Sequence, residues 1–328
     1  MTIENRPTPH PPGHEGEPIP KPEPQEPPYP PHDKPRNPAP FLVLPYDDGL
    51  DNGARPIPST YTSWWSQALQ ISVDGIAYTG GQIPRDRPTK IEVKVANWGD
   101  KDSNALISLY WANPTPIFSA ASLKADGLSE PVWVDVPRHT SAGPGLSLSP
   151  PFWLLPTKDM PDHVCLLAEI TSGDAAAPGV LDPVGDRHTA QHNIDIVHVA
   201  AGKTASTTFQ INNPFALEAR VVMHFGPVSD EMLKSLSRRY RADAAPLAED
   251  AFALQQLAEA DGNRQQRELV FEMEAGEQRL CQGVISTKGM RPGQFCAGHV
   301  DVIVSPLKQE EHSKTQVGSL GVIVFAGK

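Results

Sequence analysis

The sequence predicts an all-β protein built from two tandem β-sandwiches that follow a proline-rich N-terminal arm. Three observations carry this. From about residue 69 onward, apolar residues alternate with polar ones, the spacing that gives a strand one buried face. Clusters of Gly, Pro, Asn and Asp separate the short runs, as turns do. Helical spacing occurs in only one stretch, 229–262. At 328 residues the chain is long enough for two domains, each with its own core. The predicted units are an arm over 1–60, a sandwich over 61–199 and a second sandwich over 200–328.

Residues 1–40 hold 15 of the 36 prolines. Proline alternates with other residues from Pro18 to Pro24, and Pro27-Pro28-Tyr29-Pro30-Pro31 follows. Such runs favour polyproline II, because proline fixes φ and removes the amide donor. At about 3.1 Å per residue, 40 residues reach on the order of 120 Å. The arm reads either as a spacer without a core or as a strap laid along a neighbouring subunit. Pro24 and Pro27 form a PxxP pair, and with Tyr29 and Pro30 they suit an aromatic-lined groove. Phe41 opens the apolar run Phe41–Leu44, an edge strand or an anchor, and is a candidate contact residue. Asp47–Gly53 is rich in Asp, Asn and Gly like a calcium loop, but Gly49 stands at the third ligand position, so a turn is the expectation.

In the first sandwich Ile91, Val93 and Val95 alternate with Glu92 and Lys94. Ala105, Ile107, Leu109 and Trp111 alternate with Leu106, Ser108 and Tyr110. Val164 to Ile170 and Ile194 to Ile196 continue the pattern. In the second, the strands are expected at Phe209–Ile211, Leu217–Phe225, Leu269–Met273, Cys296–Val304 and Leu320–Phe325. The exception is a helical insertion over 229–262. Ser229 is placed as an N-cap, and Pro246 opens a second helix whose face is Leu247, Ala251, Leu254 and Leu257. Asp261-Gly262-Asn263 ends it. The insertion reads either as a contact element or as a flap over an open sheet edge.

Over residues 64–199 the sequence resembles bacterial immunoglobulin-like domains of the cell-adhesion-related (CARDB-like) type. The resemblance rests on Ser108-Leu109-Tyr110-Trp111-Ala112-Asn113-Pro114, His163 to Ile170, and Gln191-His192-Asn193-Ile194. The second unit looks like a tandem immunoglobulin-like domain, with Ala275-Gly276-Glu277 and Arg291-Pro292-Gly293 ahead of strands. The resemblance implies non-catalytic modules of adhesins, multidomain enzymes and surface assemblies, with no shared active site.

Little in the residues points to catalysis. The sequence has no G-x-S-x-G, CxxC, H-E-x-x-H, Walker loop or G-x-G-x-x-G. His188, His192 and His198 lie close in sequence, but on an extended strand the first two stand about 13 Å apart, too far to share one ion. His10, His14 and His32 are scattered over the arm. Cys165 reads as core, and Cys281 and Cys296 as buried free thiols that meet only if their strands face each other. No catalytic, cofactor-binding or metal-binding residue is assigned, and no cofactor is expected. All six tryptophans, Trp64, Trp65, Trp98, Trp111, Trp133 and Trp153, belong to the first unit. Core packing is the expectation for them, with Trp98 exposed in a turn as a candidate contact residue.

The net charge of −11 argues against nucleic acid and against an anionic membrane surface. No run of about 18 apolar residues predicts a membrane span. Met1–Pro7 contains no apolar signal core, so cytoplasmic synthesis is expected, with export by another route left open. The sequence therefore predicts a non-enzymatic structural or interaction protein, a subunit of a larger bacterial assembly with a protein partner or further copies of itself. The alternative is a carbohydrate-binding or other ligand-binding module.

Overall fold

The computed structural model describes residues 39–47, 51–57, 63–78, 83–85, 87–158, 160–161, 163–174, 181–247, 249–257, 266–307 and 316–327. The first ten strands are β1 (Leu42–Val43), β2 (Leu69–Val73), β3 (Ile76–Ala77), β4 (Thr89–Asn97), β5 (Ser103–Ala112), β6 (Val132–Val136), β7 (Gly145–Leu148), β8 (Phe152–Leu154), β9 (Cys165–Thr171) and β10 (Thr189–His192). Then come β11 (Ile194–Ala200), β12 (Thr204–Asn212), β13 (Ala219–Pro227), helix α1 (Asp230–Tyr240), β14 (Phe252–Gln256), β15 (Glu268–Met273), β16 (Gln278–Ser286), β17 (Phe295–Pro306) and β18 (Gln316–Gly327). The chain is all-β, as its alternation predicts.

The N-terminal strands form two sheets. One runs β1-β4-β2-β3, with β7 and β8 also paired to β4, and the other runs β10-β9-β5-β6. Their inner faces share one core. Ile91, Val93 and Val95 of β4 meet Ala105, Ile107, Leu109 and Trp111 of β5 and Leu166, Ala168 and Ile170 of β9. Each is the inward member of a period-two pair, so the pleat alone sorts these side chains to one side. The C-terminal strands repeat the plan with β11-β18-β17-β13-β15 against β12-β16-β14. Their core sets Met223, Phe225, Val300 and Val302 against Phe209, Ile211, Phe252 and Leu254. Phe225 and Phe252 meet edge to face at 5.2 Å.

Two expectations are corrected. The first sandwich does not extend to residue 199. β11 pairs in parallel with β18 from Ile194↔Gly321 to Ala200↔Gly327, so it belongs to the C-terminal sheets. The second helix of the 229–262 insertion is also absent. Glu249–Ala251 is a single 3₁₀ turn, and Phe252–Gln256 is a strand paired with β16. Burial of Phe252 and Leu254 against the second core, two residues apart, outweighs the helical spacing of Leu247, Ala251, Leu254 and Leu257. The proposed stop at Asp261-Gly262-Asn263 lies outside the described residues.

The first helix forms where the sequence places it. The Ser229 hydroxyl accepts the Met232 N–H, Asp230 and Glu231 occupy the first turn, and Arg238 and Arg239 the last. Leu233 and Leu236 are buried in a third cluster with Trp64, Trp65, Ile194, Phe295 and Ile323. α1 thus covers the outer face of β11, β17 and β18.

The two sheet pairs meet without a linker, since Asn193 alone separates β10 from β11. Its amide nitrogen donates to the carbonyls of Thr115 (2.8 Å) and Ser319 (2.9 Å). Its backbone N–H donates to Trp64 O, and its carbonyl accepts Gly321 N–H. Small residues let the halves close. A Cβ on Gly321 would lie 2.3 Å from the Trp64 ring, and one on Gly318 would lie 1.9 Å from Pro116 O. Gly321→Ala is therefore expected to destabilise the protein by about 1–3 kcal/mol. Gly173→Ala, with nothing within 4 Å of the added atom, is expected to leave stability near wild type. Urea titrations of both variants check this.

Candidate functional site

Of the residues expected to contact a partner, Pro24, Pro27, Tyr29 and Pro30 lie outside the described residues. Phe41 is half-buried, its ring beneath the Arg187 guanidinium at 4.0 Å. Trp98 is only 4% exposed, which corrects the expectation of an exposed turn residue. It is covered by Phe41 and Val43, stacks on His139 at 5.7 Å and donates its indole N–H to Asp51 O at 3.1 Å. Residues 41–43 and 51 fold over it, so both residues fasten the start of the described chain to the first sandwich.

The histidines do not converge. His188 Nδ1 meets Asp186 at 2.8 Å, and its Nε2 lies 3.7 Å from Asp174. Burial opposes its charge, but the two carboxylates outweigh it and raise the His188 pKa. His198 stacks on Phe325. His192 lies edge-on to Trp65 at 6.4 Å, and neither ring nitrogen has a hydrogen-bond partner among the described residues. Burial, then the Arg239 and His163 charges, push its pKa down to about 3. Among the described residues no three His, Cys, Asp or Glu side chains are grouped to hold a metal. The three cysteines are buried and free, with Cys281 on β16 and Cys296 on β17 in different sheets. Burial pushes both of these thiols up to about 12, so they stay protonated and unreactive at neutral pH.

The exposed aromatics are Trp133 at 65% and Trp153 at 46%, with Leu146, Leu148 and Leu155 also exposed. All five lie on or beside β6, β7 and β8. β7 and β8 pair with β4 through Lys94↔Leu148 and Lys90↔Trp153. The Ser147 hydroxyl donates to Asp135 O, which ties β7 to β6. Leu146, Leu148 and Trp153 thus face outward from the sheet of β4, and Trp133 outward from the facing sheet, near the edge where β6 meets β7. The pleat is ordinary, since Val134, Phe152 and Leu154 point inward and their neighbours outward.

A cleft of about 890 Å³ opens between the two sheet pairs. Tyr110, Phe118, Leu123 and Glu169 line it from the first, and Asn212, Phe215 and Gln278 from the second. Burial, with Asp186 nearby, raises the Glu169 carboxyl pKa, while His188 pulls it back. Asn212 is buried, and its Nδ2 faces Ile117 O at 3.3 Å and Thr115 Oγ1 at 3.4 Å. Because a carbonyl only accepts, this fixes the amide orientation and leaves Asn212 Oδ1 without a partner among the described residues.

No family model matches the chain, and no curated protein matches it. Among solved structures it is similar to a candidate carbohydrate-binding protein from Bacteroides ovatus, at 8% identity and TM-score 0.28, covering 42% of this chain and 36% of that one. The periplasmic chaperone SfaE aligns at 10% identity and TM-score 0.26, covering 40% of this chain and 55% of that one. CfaE, the adhesive subunit of CFA/I fimbria of enterotoxigenic Escherichia coli, aligns at 9% identity and TM-score 0.25, covering 88% of this chain and 94% of that one. The first two matches span only about a third and about half of those chains' lengths. At such scores these likenesses carry no argument about function.

The buried His192 makes acid stability testable. With a folded pKa of about 3 against 6.5 for an exposed histidine, the unfolded chain binds the proton more tightly. Its contribution is complete above about pH 6.5 and is lost as pH falls towards 3. His192→Leu is expected to make the loss of unfolding free energy shallower by up to about 1.4 kcal/mol per pH unit in that window. Urea unfolding at pH 7, 5 and 4 measures it.

Proposed function

We propose that this chain is a non-enzymatic structural or interaction protein, a subunit of a larger bacterial assembly, and that it meets another protein subunit through the edge bearing Trp133 and Trp153. The observation that carries this reading is the clustering of five large exposed apolar side chains on three neighbouring strands. Isolated exposed apolar residues are ordinary, but several on neighbouring strands suit a protein interface. Tryptophan is the side chain most enriched among residues that dominate binding energy. Here Lys90, Glu92 and Lys94 on β4 supply polar groups alongside.

The proline-rich arm supports the same reading. The described chain begins at Ala39, and Ala39 O lies against Gly99, close to where β7 starts opposite Asn97. The proline-rich segment therefore joins the described residues beside that edge.

Full-length protein is expected to self-associate with rising concentration in size-exclusion chromatography with light scattering, or to capture a partner in pull-down. Trp133→Ser combined with Trp153→Ser is expected to weaken that association at least about tenfold, with little change in melting temperature. A protein monomeric at every concentration with no partner captured, or a double variant that associates like wild type, contradicts the reading.

A further inference from the structure

The cleft between the sheet pairs is separate from the tryptophan edge and is built differently. Its walls carry the Tyr110 and Phe215 rings, while Glu169, Asn212 and Gln278 supply polar groups. The Tyr110 and Glu169 side chains are half-buried where they line it. We propose that this cleft is a binding site for a neutral saccharide, whose ring face lies on Tyr110 or Phe215 and whose hydroxyls donate to Glu169.

Chemistry narrows the ligand to this class. At about 890 Å³ the cleft falls within the usual size range of small-molecule sites. No Lys or Arg is among its described lining residues, so an anion has no counter-charge there. Lys124, which lines an adjoining hollow of about 170 Å³, is folded over the Trp111 ring at 4.5 Å. A wholly apolar ligand would strip water from Glu169 without replacing its hydrogen bonds. What remains is a molecule with flat apolar faces and outward hydroxyl donors, which describes a pyranose. Tyr110 and Glu169 sit on β5 and β9 of one sheet, while Asn212 and Gln278 face each other across β12 and β16 of the other pair. The ligand therefore touches both halves.

The test screens full-length protein on an array of neutral oligosaccharides and titrates the strongest binder by calorimetry, with spermidine as a cationic probe. The expected result is stoichiometric binding of at least one neutral glycan. Tyr110→Ala and Glu169→Gln should each weaken it about tenfold, while Trp133→Ser leaves it unchanged. If Tyr110→Ala does not fold, Tyr110→Leu and Glu169→Gln carry the comparison. The proposal is overturned if no glycan binds, if spermidine alone binds, or if glycan binding survives both cleft variants. Loss of binding in Trp133→Ser would also overturn it, by placing the site on the tryptophan edge.

Discussion

Asn193 occupies the one position at which the chain passes from one sheet pair to the other, and it does so fully buried. A polar side chain in that setting is tolerable only when its hydrogen bonds are made. Its amide nitrogen reaches the loop after β5 on one side and β18 on the other, and its backbone bonds Trp64 and Gly321. These four hydrogen bonds, with a fifth from the Cys165 thiol to its amide oxygen, converge on a single residue, so neither half can shift without stranding a buried donor or acceptor. Each stranded group costs about 1–3 kcal/mol, a penalty that fixes the orientation of the junction.

The features suited to contact follow from that junction. Because the crossing takes one residue, the loop carrying Thr115 and Ile117 is pressed into the second half, where Ile117 joins its core. The same closeness brings Tyr110 and Glu169 across from Asn212 and Gln278 and so forms the cleft. On the far side of β18, Trp64 and Trp65 lie under α1, with the Arg239 guanidinium 3.7 Å above the Trp65 ring. The tryptophan edge on β6 to β8 takes no part in this closure and stays open.

The strands were legible because alternation reports burial directly. Ile91, Val93 and Val95, and Ala105, Ile107, Leu109 and Trp111, point inward as their spacing requires. Alternation does not say which sheet a strand joins, so Ile194 and Ile196 read equally well as the end of one sandwich or the start of the next. Only pairing with β18 decides it. Trp98 looked exposed because Asn97, Gly99 and Asp100 signal a turn, and nothing local reveals that Phe41 and Val43 return to cover it. Trp133 and Trp153 were visible as tryptophans, yet their outward direction depends on which face of their sheet meets the core. The cleft draws on positions 110, 169, 212, 215 and 278, which no short motif connects.

The account stands on the two sheet pairs being one cooperative body held at Asn193. Differential scanning calorimetry of the full-length protein, and of Asn193→Ala, tests that most directly. The wild type should unfold in a single transition whose calorimetric and van't Hoff enthalpies agree, and the variant should separate into two. Two independent transitions in the wild type, or a variant that unfolds like it in one step at the same temperature, would contradict the account.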